Sequence, residues 1–106
     1  MLFKSNINEF TGLEFAVFKL KPGVQEADLI QLSKTIDSHF LAQKKDLLAH
    51  FLLKGTEGLY ADVAIASTQE KAEEICREWV TNEFTKPYLE LLDNDSVDMS
   101  FWSRIS

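Results

Sequence analysis

Leu47–Ser67 reads LLAHFLLKGTEGLYADVAIAS, two apolar runs separated by the four residues GTEG at 55–58. Two strand-like runs joined by a short connection that contains glycine predict an antiparallel β-hairpin. Helical patterns precede and follow this stretch, so the hairpin is predicted to lie at the centre of the fold. It also carries His50 and Asp62, two polar side chains among apolar neighbours.

The geometry of the hairpin turn decides whether His50 and Asp62 lie on the same face of the sheet. A three-residue turn over 56–58, with Gly58 in the left-handed conformation, puts both side chains on one face. A two-residue turn over 56–57 puts them on opposite faces instead. The sequence alone leaves both alternatives open.

The chain before the hairpin predicts one strand and one helix. Leu13–Lys21 (LEFAVFKLK) is rich in aromatic and β-branched residues and is stopped by the turn pair Pro22-Gly23. An amphipathic helix is expected from Val24 to about Gln43, because apolar residues recur there at steps of three and four. The residues that form this apolar stripe are Leu29, Leu32, Ile36 and Phe40.

The chain after the hairpin predicts two helices and a last strand. Ser67 and Glu70 have the spacing of a capping box, which places the start of the second helix at Ser67. Thr85 followed by Pro87 predicts a short third helix, because proline is tolerated only in the first turn. Alternating apolar residues predict the final strand over Val97–Ile105.

Composition restricts the classes of function. The 106 residues predict one domain over 1–106 with a core of about 13–105, and 45% apolar with 26% charged residues is typical of a globular protein. The net charge of −6 disfavours nucleic acid and anionic membranes as partners, since no basic surface is indicated. The residues before Gly12 resemble no targeting peptide, so a cytoplasmic location is expected. Cys76 is the single cysteine, which excludes an internal disulfide and a cysteine-based zinc site.

The order strand, helix, strand, strand, helix, strand predicts an α+β fold of the ferredoxin-like βαββαβ type. In this fold a four-stranded antiparallel sheet carries its helices on one face. The predicted strands are nevertheless apolar on both faces, as the run FAVF at 15–18 shows. Because a second apolar face needs a cover, we predict a homodimer formed through the sheet face.

Several short segments resemble the antibiotic-biosynthesis-monooxygenase-like family of the dimeric α+β barrel superfamily. They are KPGV at 21–24, GLYAD at 58–62, STQEKA at 67–72, EF at 83–84, LLD at 91–93 and SVDMS at 96–100. The resemblance extends over about 13–105. It implies a dimeric α+β barrel with a small pocket in each subunit between sheet and helices, and an activity ranging from cofactor-independent monooxygenation to ligand binding or a stress-response or regulatory role without turnover.

Two positions depart from what the resemblance implies. Many such proteins have a tryptophan near the end of the third strand, where this chain has Ala66. Haem-degrading members use a histidine from the second helical region, but His39 and His50, the two histidines of this chain, both precede that region. A haem-binding or haem-degrading role would therefore need a different ligand.

The chemical hypothesis drawn from the sequence is a His50–Asp62 pair. Asp62 would orient the imidazole of His50, which would remove a proton from a small apolar or aromatic substrate, and the resulting anion would react with oxygen without cofactor or metal. The structural alternative is that Asp62 accepts a hydrogen bond from backbone or a tyrosine hydroxyl and that His50 is a satisfied interface residue. The residues expected to line the ligand pocket are His39, Phe51, Tyr60, Trp79 and Tyr88.

Overall fold

A single antiparallel sheet carries three helices on one of its faces. The computed structural model describes all 106 residues. The strands are β1 (Leu2–Phe3), β2 (Gly12–Phe18), β3 (Leu47–Lys54), β4 (Tyr60–Ala66) and β5 (Asp98–Ser103), and the helices are α1 (Glu26–His39), α2 (Gln69–Trp79) and α3 (Lys86–Leu89). None of these helices has the length and apolar character needed to cross a membrane.

The sheet has five strands in the order β1-β3-β4-β2-β5, not the four that the sequence predicts. The additional strand β1 pairs with the outer edge of β3, with Leu2 opposite His50 and Phe3 opposite Ala49. Two residues are too few to show a strand periodicity, which explains why the pattern of the sequence missed this strand. The four longer strands and the intervening helices follow the predicted βαββαβ order.

The hairpin turn adopts the three-residue alternative. The Gly55 N–H donates to the carbonyl of Leu59 at 2.8 Å, and Gly58 has φ +79°. Only glycine adopts such a backbone without strain. Because Leu52 of β3 lies opposite Asp62 of β4, His50 lies on the same sheet face as Asp62.

The helix starts differ from two of the predictions. Helix α2 is capped by Thr68, whose hydroxyl accepts a hydrogen bond from the Lys71 N–H at 3.1 Å, and not by Ser67. The Ser67 hydroxyl instead donates to the Asp46 carboxylate at 2.8 Å. Helix α1 also begins two residues later and ends four residues earlier than expected, because Leu41–Gln43 forms a separate 3₁₀ turn.

The two faces of the sheet have different covers. On the face below α1, α2 and α3, here called the helix-covered face, the apolar core contains Phe18, Leu29, Ile36, Phe40, Leu41, Leu47, Ala64, Ile75, Trp79, Tyr88 and Leu92. The opposite face, here called the open face, carries a smaller cluster against which Ile7 and Phe10 of the N-terminal segment pack. That segment leaves Phe3, Leu53 and Trp102 exposed on the open face.

Candidate functional site

An apolar cavity of about 140 Å³ lies between the helix-covered face and the helices α2 and α3. Its lining consists of Glu14, Ala16, Phe18, Asp62, Cys76, Trp79, Val80, Tyr88, Leu89, Leu92, Val97 and Met99. Val80, Val97 and Met99 are exposed at 75%, 38% and 45%, so they form an apolar mouth. The ionisable oxygens of the lining come from Glu14, Asp62 and Tyr88, and no basic side chain lines the cavity.

His50 is fully buried directly behind the cavity, between two aspartates. Its Nδ1 lies 2.6 Å from Asp37 Oδ1 and its Nε2 lies 2.8 Å from Asp62 Oδ1. Carboxylate oxygens accept hydrogen bonds, so each ring nitrogen satisfies its partner only when it carries a proton, and the ring is then an imidazolium. Burial alone would lower the pKa of His50, but Asp62 and Asp37 together outweigh that effect and raise it to about 10.

Asp62 lines the cavity, and its second oxygen is held by a tyrosine. The Tyr88 hydroxyl donates to Asp62 Oδ2 at 2.5 Å, and burial together with the Asp62 charge raises the pKa of Tyr88 well above its ordinary value. Asp62 therefore accepts one hydrogen bond from the His50 imidazolium and one from a neutral phenol.

Asp37 is a member of this cluster that the sequence analysis missed. It lies on α1 next to Ile36, and its buried side chain reaches His50. Its position four residues after the buried Ser33 and three before Phe40 places it on the apolar stripe of the helix. That helical spacing is the signal that could have identified it as a buried acid.

Glu14 is the second residue that the sequence analysis missed. It lies on β2 opposite Ala64 and is 7% exposed, which puts its carboxyl at the floor of the cavity. Burial, and secondly the charge of Asp62, raises the pKa of Glu14 to about 7. Alternation along β2 could have found it, because Glu14 shares its face with Ala16 and Phe18.

Cys76 stands beside Glu14 in the cavity wall. Burial and the nearby Glu14 carboxyl raise the pKa of its thiol to about 12, and the thiol donates to the Met99 sulfur at 3.4 Å. A thiol that does not ionise near neutral pH is a poor nucleophile. The raised pKa of the Cys76 thiol therefore agrees with a packing role in the cavity wall.

The structure brings together only part of the predicted pocket. Trp79 and Tyr88 line the cavity beside Asp62. Phe51 lies on the open face, where it stacks on Phe3, because strand alternation points it away from the neighbouring His50. Phe51 therefore does not contribute to a pocket below the helices.

His39 and Tyr60 are also remote from the cavity. His39 is exposed at the end of α1, where its ring stacks on Phe84 with the centroids 4.8 Å apart. The Tyr60 hydroxyl donates to the Glu26 carboxylate at 2.9 Å, beside an ion pair between Lys54 and Glu26. Both tips contact surface groups and not the cavity.

A wider cleft of about 400 Å³ opens at the surface next to His39. Its lining is polar apart from Phe40, and its opposite charges, Lys44 and Glu78, already form an ion pair at 2.7 Å. An exposed ion pair of this kind is common on protein surfaces and does not by itself mark a reactive site. We therefore take the smaller apolar cavity with its buried acids as the candidate site.

The geometry gives His50 and Asp62 other roles than those that the sequence suggests. His50 has no free lone pair and does not line the cavity, so it is not placed to accept a proton from a bound ligand. Glu14 lines the cavity, and its pKa of about 7 lets it accept a proton near neutral pH. His50 instead holds Asp62 in place as a charged hydrogen-bond donor.

The solved structures that resemble this chain share its fold at low sequence identity. SnoaB, a cofactor-independent oxygenase from Streptomyces nogalater, is 12% identical with a TM-score of 0.66, over 91% of this chain and 95% of that one. The chain shares the fold of SnoaB. A putative antibiotic biosynthesis monooxygenase from Chloroflexus aurantiacus J-10-fl is 9% identical with a TM-score of 0.63, over 91% and 94%.

A third structure with this fold is At3g17210 from Arabidopsis thaliana, which is 16% identical with a TM-score of 0.71 over 90% of this chain and 96% of that one. No protein-family model matches the chain, and no curated protein matches its sequence. The resemblance stated from the sequence is thus confirmed for the fold. Identities of 9–16% carry no residue roles across.

Proposed function

We propose that the protein is a cofactor-independent monooxygenase that acts on a small aromatic metabolite bound in the apolar cavity. The observation that carries this proposal is Glu14, a buried carboxyl at the floor of an otherwise apolar cavity, with a pKa of about 7. A proton acceptor is most effective when its pKa lies near the working pH. The oxygenase fold of SnoaB supports the same reading.

The proposed reaction needs a proton acceptor and a dry cavity. Glu14 takes a proton from the substrate and leaves an electron-rich anion that reacts with O₂. When a phenol is converted to a quinone in this way, one oxygen atom enters the substrate and the other leaves as water with two substrate hydrogens. The substrate itself supplies the electrons, so the reaction balances without an external reductant.

Asp62 and His50 retain a place in this proposal, with their roles redefined. Asp62 faces the cavity and, with the Tyr88 hydroxyl, forms the polar part of its floor beside Glu14. His50 acts through Asp62 and is a positioning residue. The charge of Asp62 raises the pKa of Glu14, and the nearby charge of His50 lowers it by a smaller amount.

We further propose that the protein is a homodimer formed through the open face. Support comes from the aromatic and aliphatic side chains exposed there, among them Phe3, Leu53 and Trp102, with Trp102 59% exposed. Exposed apolar groups that cluster on one face of a sheet are typical of an interface. A second copy of the same chain is the most common partner for such a face.

Oxygen uptake tests the proposed activity. Metal-free protein is incubated with a series of phenols and hydroquinones, and O₂ consumption is followed with an oxygen electrode. Ala16→Leu should reduce uptake at least about tenfold, because the added side-chain atoms occupy the cavity space that the substrate needs. Ala27→Leu, the same substitution at an exposed position of α1, should leave uptake unchanged.

Two results would contradict the oxygenase proposal: no uptake with any compound of the series, or full uptake by Ala16→Leu. The second candidate function is ligand binding without turnover. It is favoured by the complete hydrogen bonding of the His50 ring, which is typical of a structural network. Binding of the phenols with no oxygen uptake would select this second function.

A further inference from the structure

The cavity has an unbalanced set of charges around its floor. Behind the wall, His50 contacts two aspartates, Asp37 and Asp62, and the N-terminal ammonium lies 3.2 Å from the second oxygen of Asp37. Glu14 adds a third carboxyl on the cavity side, and no lysine, arginine or histidine lines the cavity to compensate it. A buried charge with no opposite charge beside it costs free energy, because little water reaches it.

Glu14 also lacks strong hydrogen-bond donors of its own. The neighbouring Cys76 thiol is a weak donor whose proton goes to the Met99 sulfur, whereas Asp62 is served by His50 and Tyr88. A carboxyl that is more than nine-tenths buried and opens into a cavity leaves its acceptor capacity to whatever enters that cavity. A ligand with a donor at its buried end would supply the missing bond.

The dimensions and walls of the cavity restrict the rest of the ligand. A volume of about 140 Å³ is close to the roughly 150 Å³ cavity that holds one benzene molecule. The Trp79 and Tyr88 rings and the Met99 sulfur offer apolar and polarisable contacts to one ring. The aromatic faces also favour a cationic group next to them.

We propose that Glu14 selects ligands by the charge of their buried end: single-ring compounds that end in an ammonium bind best, those that end in a neutral hydroxyl bind next, and those that end in a carboxylate are excluded. The proposal rests on the proposed function only in taking this cavity as the ligand site. Glu14 is then the residue that sets the ligand specificity of the cavity. It requires no turnover.

Three probes with the same ring and different end groups test this selection: 2-phenylethylamine, 2-phenylethanol and phenylacetate. Binding is measured at pH 7.5 by the fluorescence of Trp79, in a Trp102→Phe background that removes the second tryptophan. The amine should bind about tenfold more tightly than the alcohol, because a charge-assisted hydrogen bond replaces a neutral one. Phenylacetate should bind at least about a hundredfold more weakly than the amine.

Variants of Glu14 assign the selection to this residue. Glu14→Gln should reduce the ratio of amine to carboxylate affinity at least about tenfold, whereas Glu14→Asp, which keeps the charge, should preserve the order of the three probes. Glu83→Gln removes an exposed charge from the same chain and should leave the ratio unchanged.

The wild-type order decides the proposal even if a Glu14 variant fails to fold. Phenylacetate binding as tightly as the amine would overturn it, and so would failure of all three probes to bind. An unchanged ratio in folded Glu14→Gln would overturn it as well. Because oxygen uptake is not the readout, a protein that shows the predicted order but consumes no oxygen supports the charge selection while contradicting the oxygenase.

Discussion

The two faces of the sheet differ in where they place charged residues. The helix-covered face, which is shielded from water, holds Glu14, Asp62 and His50 and receives Asp37 from α1. The open face carries apolar side chains along every strand, several of them exposed. A fold governed by stability alone would bury the apolar residues and expose the charged ones.

Buried charges on one face and exposed apolar area on the other indicate that each face has a use beyond folding. Burying three carboxyls costs free energy unless they are paired, and only two of them share the charge of His50. The unpaired one, Glu14, lies where a ligand can reach it. The open face, in contrast, offers contact area but no buried titratable group, which suits association and not chemistry.

The largest effect is expected from removing the positive charge below the helices. His50→Ala leaves Asp37 and Asp62 buried without their common partner, and it should lower the free energy of unfolding by about 3–5 kcal/mol. Because the folded pKa of His50 is raised from 6.5 to about 10, its stabilising contribution is complete below about pH 6.5 and is lost as the pH rises through about 10. Urea unfolding at fixed protein concentration measures both effects.

The matched control is the second histidine. His39→Ala removes an imidazole that is exposed and stacked on Phe84, so it should cost less than about 1 kcal/mol. Equal losses for the two variants would mean that His50 carries no charge between the aspartates, and the contrast between the faces would lose its electrostatic basis.

A smaller effect with a distinct pH dependence is expected at Glu14. Its pKa is about 7 in the folded protein instead of 4.5, so the folded state binds the proton more tightly and stability falls as the pH rises from about 4.5 to about 7. Glu14→Gln removes this loss. From pH 4.5 to pH 8 the variant should gain on the order of 3 kcal/mol relative to wild type.

Urea unfolding at several pH values follows this gain, with Glu83→Gln as the exposed control. A parallel pH dependence of wild type and Glu14→Gln would show that Glu14 is ionised normally. In that case the Glu14 carboxyl would behave like an exposed carboxylate.

The topology could be predicted from the sequence because it depends on periodicity. The hairpin, the two long helices and the last strand each span enough residues to repeat a pattern of two or of three to four. β1 escaped because it has two residues. The choice of Thr68 over Ser67 as helix cap depends on a contact with Asp46 that is distant in sequence.

The candidate site was predictable only in part. His50 and Asp62 were found because they interrupt apolar runs, and their pairing depended on a turn geometry that the sequence left open. Asp37 and Glu14 were overlooked because spacing alone puts them on an apolar face without showing that a charged residue stays buried there. Tertiary packing decides whether such a residue is buried. The role of His50 becomes clear only when both of its partners, Asp37 and Asp62, are known.

The two tryptophans report the two faces separately and give the most direct test of the contrast. Trp79 lines the cavity below the helices, and Trp102 lies exposed on the open face of β5. Their indole N–H signals are followed in ¹⁵N-labelled protein by NMR, during titration with 2-phenylethylamine and, separately, during dilution. We expect the ligand to shift the Trp79 signal and dilution to shift the Trp102 signal. A ligand-induced shift at Trp102 with none at Trp79 would show that the ligand binds at the open face and not in the cavity.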